Sequence, residues 1–358
     1  MSNKVSFGST VTLAEAASVI LACPKNRVIL EGEPGIGKST LLTMLGKALP
    51  DHNLAYIDVP NMDLGDTSMP VIDHDNRVCN YFPNARFRLT EDKPVIIMLD
   101  EFTKGMAPVK NMLHPLLEES NPRLGDITLH PDSYVFLTGN LSSDGVGDNL
   151  AAHSANRLTR LLVSKPTAEE WITWALNSGE VDPAVLAFVD KYPDVLESYL
   201  NEGQKENKYI FQPRAMQQAY ASPRSLVKAS RYVTDRHLLP NENTLTAALI
   251  GTVGQATARD LQAFVAYQDQ LPTWDAIIKQ PDTAVVPTSP GACSVLVYGA
   301  VTKIDDATIK PFMKYIGRFQ EEWQAAFAIN VAKNPNKQKV AFTSDAFRNW
   351  VLENEDLL

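Results

Sequence analysis

The sequence predicts an α/β core built on a parallel sheet, followed by a helical region. Three observations carry that prediction. Val28-Ile29-Leu30 runs into a glycine-rich turn and then into Leu41-Leu42-Thr43-Met44-Leu45, which is strand, turn and helix in immediate succession. Pro94-Val95-Ile96-Ile97-Met98-Leu99 is a continuously apolar strand of buried type, and it ends in Asp100-Glu101. From Pro166 the pattern changes to amphipathic helices with recognisable starts.

The first element is a helix from Leu13, with Thr12 as its cap and Glu15 three residues on, a capping-box arrangement. The first strand, Val28-Ile29-Leu30, opens into Glu31-Gly32-Glu33-Pro34-Gly35-Ile36-Gly37-Lys38-Ser39-Thr40, which fits G-x-x-x-x-G-K-[ST]. Gly32, Gly35 and Gly37 permit turns that aim successive backbone N–H groups at phosphate oxygens. The helix that follows adds its positive end. Lys38 is then expected on the β- and γ-phosphates of a nucleotide, and the Ser39 hydroxyl on Mg²⁺.

A second strand runs from Leu54 to Val59, and a long polar segment follows, from Asn61 to Lys93. Within it, Asp75-Asn76 can turn a hairpin between Met69-Pro70-Val71-Ile72 and Arg77-Val78-Cys79-Asn80-Tyr81. So long an insertion in a compact domain points to function, with a plain surface excursion as the alternative. The third strand delivers Asp100 and Glu101 to the carboxyl edge of the sheet, where ligands of such sheets sit. Asp100 is expected to hold Mg²⁺ and Glu101 to polarise an attacking water.

Lys110 to Glu119 reads as a helix that Pro115 must kink or end. Arg123 to Pro131 reads as a small hairpin. The fourth strand, Ser133 to Thr138, ends at Gly139-Asn140, where a polar side chain can orient water and sense the γ-phosphate. Arg157 and Arg160 precede and enter a fifth apolar strand. An arginine lent by a neighbouring subunit stabilises a transferring phosphoryl group by roughly 10³–10⁵ in rate; plain surface charge is the alternative reading.

The helical region starts at Thr167-Ala168-Glu169-Glu170, another capping box, with Trp171 and Trp174 assigned to the core. Further helices are expected over Ala184–Tyr199, from Ser222-Pro223-Arg224, over Leu245–Tyr267, over Pro311–Val331 and over Ser344–Leu352. Residues 280–291 read as a linker. The stripe Phe312, Tyr315, Ile316, Phe319, Trp323, Phe327 reads as a packing face, with an oligomer surface as the sharper option.

The chain has 358 residues, is 44% hydrophobic and carries a formal net charge of −9. That supports two or three packed units and makes nucleic acid an unlikely default partner. Cys23, Cys79 and Cys293 form neither a disulfide framework nor a metal spacing, which predicts a reducing, cytoplasmic setting. The N-terminus lacks the apolar core of a signal peptide, and no apolar run is long enough to span a bilayer.

Taken in order, the phosphate loop, Leu99-Asp100-Glu101, Thr138-Gly139-Asn140, Asn156-Arg157-Leu158 and Ser222-Pro223-Arg224 resemble the AAA+ ATPases, and within them the MoxR-like group. The resemblance covers roughly residues 10 to 270. It implies a five-stranded parallel sheet ordered 5-1-4-3-2, with an ATPase core over 1–164, a helical lid over 165–280, and a linker with a helical extension over 281–358. It makes Gly32 to Thr40 the Walker A loop that binds ATP, Asp100-Glu101 Walker B, Asn140 sensor 1, Arg157 the trans-acting finger and Arg224 sensor 2. Leu158 stands where the group carries a bulky aromatic, so Arg160 remains a second candidate for the finger. Residues 61–93 and 123–132 fall where the group has segments facing the ring pore or a partner, and Tyr81 and Phe82 are the expected exposed aromatics.

What the resemblance implies is an Mg²⁺-dependent ATPase working as a homo-oligomeric ring, expected to be hexameric, that remodels a protein client. In MoxR-like systems that client often carries a von Willebrand factor A domain. Two rival readings stay open: a nucleic-acid motor using Arg77, Arg86, Arg88, Tyr81, Phe82 and Phe87, and a non-catalytic scaffold gated by nucleotide.

Overall fold

The computed structural model describes residues 9–141, 156–213 and 215–357. Ser154 and Ala155, at the head of the arginine-bearing stretch, lie outside the described residues. The chain divides into two compact units, residues 1–165 and 166–358.

In the first unit, α1 (Leu13–Ala22) begins at the expected capping box: Thr12 Oγ1 accepts from Glu15 N at 3.2 Å and Glu15 accepts from Thr12 N at 2.7 Å. Then follow β1 (Arg27–Glu31), α2 (Thr40–Ala48), β2 (Asn53–Asp58), β3 (Ser68–Asp73), β4 (Val78–Pro83), β5 (Val95–Asp100), α3 (Ala107–Leu113), β6 (Arg123–Leu124), β7 (Ile127–Thr128), β8 (Tyr134–Gly139) and β9 (Leu158–Leu162). The parallel sheet runs β2-β5-β8-β1-β9. Counted over its five strands, this is the expected order 5-1-4-3-2.

Period-two alternation sorts the sheet's side chains between two cores. Val28, Leu30, Ile96, Met98 and Phe136 face α1 and α2, which contribute Ala16, Ile20, Leu41 and Leu45. Ile29, Ile57, Ile97, Leu99 and Leu137 face the other layer, with Val109 and Leu113 of α3. The three-layer arrangement therefore follows from which residues alternate. It also decides which strand-tip residues look toward the phosphate loop. α3 gives way to a 3-10 turn over His114–Leu117, as Pro115 requires.

The β3–β4 hairpin forms in the expected place, with Met69 paired to Phe82 and Ile72 to Cys79. Its turn is held by Asp73, whose Oδ1 accepts from Asp75 N and Asn76 N at 3.0 Å. β6 and β7 make the second expected hairpin.

The second unit is helical among its described residues. Its first helix, Ala168–Ser178, has the expected capping box. Trp171 is buried, but Trp174 is 46% exposed; three residues turn the second ring by about 60° short of a full turn, to the rim of the buried face. The expected Leu245–Tyr267 helix is two, Glu242–Val253 and Gln255–Asp269, broken at Gly254 with φ +82°. The Pro311–Val331 stretch likewise splits into Ile309–Ile316 and Glu321–Ala332 around Gly317. Pro193 ends the helix Pro183–Lys191 and its flank short of Tyr199. Phe312, Tyr315, Ile316 and Phe327 are fully buried, which makes the aromatic stripe a packing face. One apolar cluster runs from Trp171 to Phe347, so helices on both sides of the irregular residues 280–289 share a core.

Candidate nucleotide site at the carboxyl edge of the sheet

The phosphate loop leaves β1 and returns into α2. Gly35 and Gly37 take φ of +79° and +101°, which a side chain would strain. A Cβ on Gly32 would sit 2.7 Å from Ile36 Cδ1 and 2.9 Å from the Val163 carbonyl oxygen, so the backbone there passes where only glycine fits. Lys38 is buried. Its Nζ donates to the carbonyls of Gly32 at 2.7 Å and Glu33 at 2.9 Å, and lies 3.4 Å from Asn140 Oδ1. One ammonium thus spans the loop and the tip of β8. Ser39 precedes α2 and its side chain makes no capping hydrogen bond, while Thr40 Oγ1 donates to the Gly37 carbonyl at 2.7 Å.

Asp100 and Glu101 stand at the tip of β5, between β2 and β8. Asp100 continues the Ile96–Met98 alternation, so it lies on the face that carries α1 and α2. Both of its oxygens accept: Oδ2 from Tyr56 Oη at 2.7 Å, and Oδ1 from Thr138 Oγ1. The Thr138 hydroxyl in turn accepts from the Glu101 backbone N–H at 2.9 Å. Glu101 takes φ +49° and ψ +36°, a left-handed conformation that costs a non-glycine residue about 1–3 kcal/mol and concentrates at functional sites. Its carboxylate accepts from Lys104 Nζ at 2.8 Å.

Sequence reasoning did not single out Tyr56, Thr138 or Lys104. Thr138 was within reach, because it stands two residues before Asn140 in the Thr138-Gly139-Asn140 stretch, though the sequence alone assigns it no role. Tyr56 needed the β2–β5 register, which sets Tyr56 beside Met98 and Asp58 beside Asp100. Desolvation first, then the hydrogen bond and charge of Asp100, raise the Tyr56 phenol pKa above its ordinary value.

The two finger candidates sit differently. Arg160 lies inside β9 and grips Glu31 of β1 bidentately, with contacts of 2.8, 2.8 and 3.2 Å; the Glu31 side chain is only 6% exposed. Arg157 immediately precedes β9, where Leu158 pairs with Arg27 while Leu162 pairs with Glu31. It therefore stands five residue rises, roughly 16–17 Å, from the edge that bears the phosphate loop. Arg157 Nη1 lies 3.4 Å from both His114 Nδ1 and Glu118 Oε1. Arg224 is exposed on the first turn of the helix Pro223–Thr234 in the second unit.

The two hairpins meet. The Asp126 N–H donates to the Tyr81 carbonyl at 2.9 Å, and Tyr81 N–H donates to Asp126 Oδ2 at 2.6 Å. Met69, Val71, Ile72, Val78, Tyr81 and Phe82 are all exposed. Arg86 and Arg88 are spent on Asp66 and Glu91. Among the described residues no helix is long and apolar enough to cross a membrane, and no group of three or more His, Cys, Asp or Glu is arranged to hold a metal.

Mg²⁺ suits the donors that are present. It is a hard cation, held by one or two protein oxygens plus substrate phosphates rather than by an all-protein cage. The uncapped Ser39 hydroxyl and the Asp100 carboxylate are such oxygens.

No family model matches the chain, and no curated protein is significantly similar to it. Solved structures similar to it include a candidate ATPase from Cytophaga hutchinsonii, at 17% identity and a TM-score of 0.34, covering 46% of this chain and 50% of that one. NtrX from Brucella abortus in complex with ADP is similar at 11% identity and 0.41, over 96% of this chain and 67% of that one. A point mutant of Thermotoga maritima RuvB is similar at 14% identity and 0.38, over 86% of this chain and 87% of that one. The chain thus spans half the length of the Cytophaga protein. At these scores the likenesses add no weight to the sheet order and loop geometry of the chain itself.

Proposed function

We propose that this chain is an Mg²⁺-dependent ATPase of the AAA+ type, close to the MoxR-like group, that works as a ring and remodels a protein partner. The observation that carries the reading is convergence at one sheet edge. The glycine loop, Lys38 bridging to Asn140, and the Asp100-Glu101 pair come from three neighbouring strands in the order such a pocket needs. Lys38 would bind the β- and γ-phosphates, with the backbone N–H groups of Gly32 to Thr40 around them. Ser39 and Asp100 would hold Mg²⁺, which supplies charge neutralisation on the phosphates. Glu101 would accept a proton from the attacking water, and Asn140 would orient that water.

Arg157 is the better candidate for the finger. It lies too far from its own phosphate loop to serve it, which is what a residue acting on a neighbour requires. Arg160 is engaged within its own chain. In this reading Arg224 serves as sensor 2, residues 165–280 as the lid, and 281–358 as a linker and helical extension that shares the lid's apolar core. The exposed apolar hairpin, whose nearby arginines are largely paired, favours a protein client over nucleic acid; a von Willebrand factor A domain is one such client.

The test is Glu101→Gln, immobilised with ATP and Mg²⁺ and compared with the unaltered chain. Retained nucleotide, lost turnover and a trapped protein client are expected. Full turnover in Glu101→Gln would overturn the reading.

A further inference from the structure

Asp100 is held by more than its strand. Tyr56 on β2 and Thr138 on β8 flank it and donate to its two oxygens, one each. The three side chains form a row across adjacent strands on one face of the sheet. Tyr56 is on the edge strand and 51% exposed, and little of it is needed to fill a core. Its hydroxyl could be solvated, yet it is turned onto a carboxylate. Asp58 lies directly opposite Asp100 in the β2–β5 register, and its own Oδ2 accepts from Asn61 Nδ2 at 2.6 Å. Opposed like charges on neighbouring strands repel. The Tyr56 hydroxyl proton gives Asp100 a neutral partner on that side and keeps its carboxylate from rotating away.

We infer that Tyr56 is a positioning residue for the divalent cation: by anchoring Asp100 Oδ2 it fixes the carboxylate so that the remaining lone pairs meet Mg²⁺ beside the phosphate loop. This rests on the nucleotide reading above. Partners that orient a ligating carboxylate typically change metal affinity by 10–100-fold when removed. A structural role alone would instead change folding stability and leave metal dependence untouched.

The experiment uses the full chain and a fluorescent, slowly hydrolysed ATP analogue, with and without Mg²⁺. Tyr56→Phe keeps the ring and removes only the hydroxyl. It is expected to leave analogue affinity in EDTA and the unfolding temperature unchanged, and to raise the half-saturating Mg²⁺ concentration about tenfold. In an Asp100→Asn background the same change is expected to have no further effect on Mg²⁺ dependence. If Tyr56→Phe needs no more Mg²⁺ than the unaltered chain, this inference falls while the nucleotide reading stands. If the unaltered chain binds no analogue, both fall. If Tyr56→Phe loses stability, Tyr56→Leu and Tyr56→His are titrated alongside it; a Mg²⁺ requirement that follows stability across the three overturns the inference.

Discussion

Replacing Arg157 and Arg160 one at a time separates a residue that holds its own chain together from one that serves a neighbour. Arg160→Ala removes three close contacts to Glu31, whose side chain is 6% exposed while that of Arg160 is 37% exposed. Orphaning one partner of a fully buried pair costs roughly 3–5 kcal/mol. An exposed pair is worth about 0.2–1 kcal/mol. The solvated guanidinium end places this one between, at about 2–3 kcal/mol, visible as a lower urea midpoint. Part of that loss should return in the Glu31→Gln, Arg160→Ala double variant, because no buried charge is then left alone. Arg157→Ala removes only long contacts at 3.4 Å from a side chain 40% exposed, so stability should move by about 0.5 kcal/mol or less. Its ATP turnover, in contrast, should fall by roughly 10³–10⁵. Mixing Arg157→Ala with Glu101→Gln completes the assay. Each is inactive alone, but in a shared ring the intact Arg157 of one subunit can serve the intact Glu101 of the next, and activity should return. If Arg160→Ala kept full stability, lost turnover and was the variant rescued by mixing, the assignment would be reversed.

Lys38→Ala should weaken binding of the fluorescent ATP analogue about 10–100-fold, the value of one charge-assisted contact to phosphate; unchanged affinity would remove the phosphate role. Gly125→Ala forces an L-residue into φ +58° with its Cβ 2.3 Å from the Tyr81 carbonyl oxygen. The conformational part alone costs about 1–2 kcal/mol, so the Tyr81 and Asp126 amides should exchange hydrogen faster, and equal protection would show that the hairpins are not clamped there. Burial raises the Asp182 carboxyl above its ordinary 3.8, against the lowering effects of Ala184 N–H, Arg236, Gln268 and Thr234. The folded state then binds the proton more tightly than the unfolded one, so stability is fully present below 3.8 and declines as pH rises through the folded value. Asp182→Asn keeps a capping oxygen for the helix Pro183–Lys191 and should flatten that part of the urea-midpoint profile; an unchanged slope would contradict it.

The sheet was legible because its central strands β1, β5 and β8 are apolar runs that end at Glu31, at Asp100-Glu101 and just before Asn140, so the tip residues follow directly on the runs in sequence. The hairpins were legible from Asp75-Asn76 and from the Arg123 to Pro131 stretch. Helix lengths in the second unit were not. The apolar pattern continues straight through Gly254 and Gly317, and periodicity alone does not register a change of direction there. The close approach that fixes the break at Gly254 is tertiary: a Cβ there would meet the Ala219 carbonyl oxygen at 2.7 Å. The same limit hid Tyr56. Nothing within β2 marks it; its meaning comes from β5 lying alongside in one particular register. Arg160 was ambiguous for the same reason, since its partner Glu31 sits far away in sequence and reads there as part of the phosphate-loop pattern.

The exposed hairpin poses a physical problem, and its edges answer it. β3 and β4 present Met69, Val71, Ile72, Val78, Tyr81 and Phe82 to solvent, an arrangement that invites strand addition by another chain. Tyr81 directs both its N–H and its carbonyl outward, away from β3, and Gly125-Asp126 covers both. Pro70 is paired with Tyr81, so its backbone nitrogen faces the opposite outer edge, where it has no hydrogen to offer. Each edge is therefore blunted at the same level of the hairpin, one by an added turn and the other by a missing donor. The blunting is local: two residues along, the Ile72–Cys79 pair has the same orientation, so its backbone N–H and carbonyl groups also face the outer edges, beside the exposed side chains of the two faces. The apolar side chains exposed on the two faces offer contact that is non-directional and needs no fixed register, whereas strand addition at these edges is interrupted at Pro70 and Tyr81.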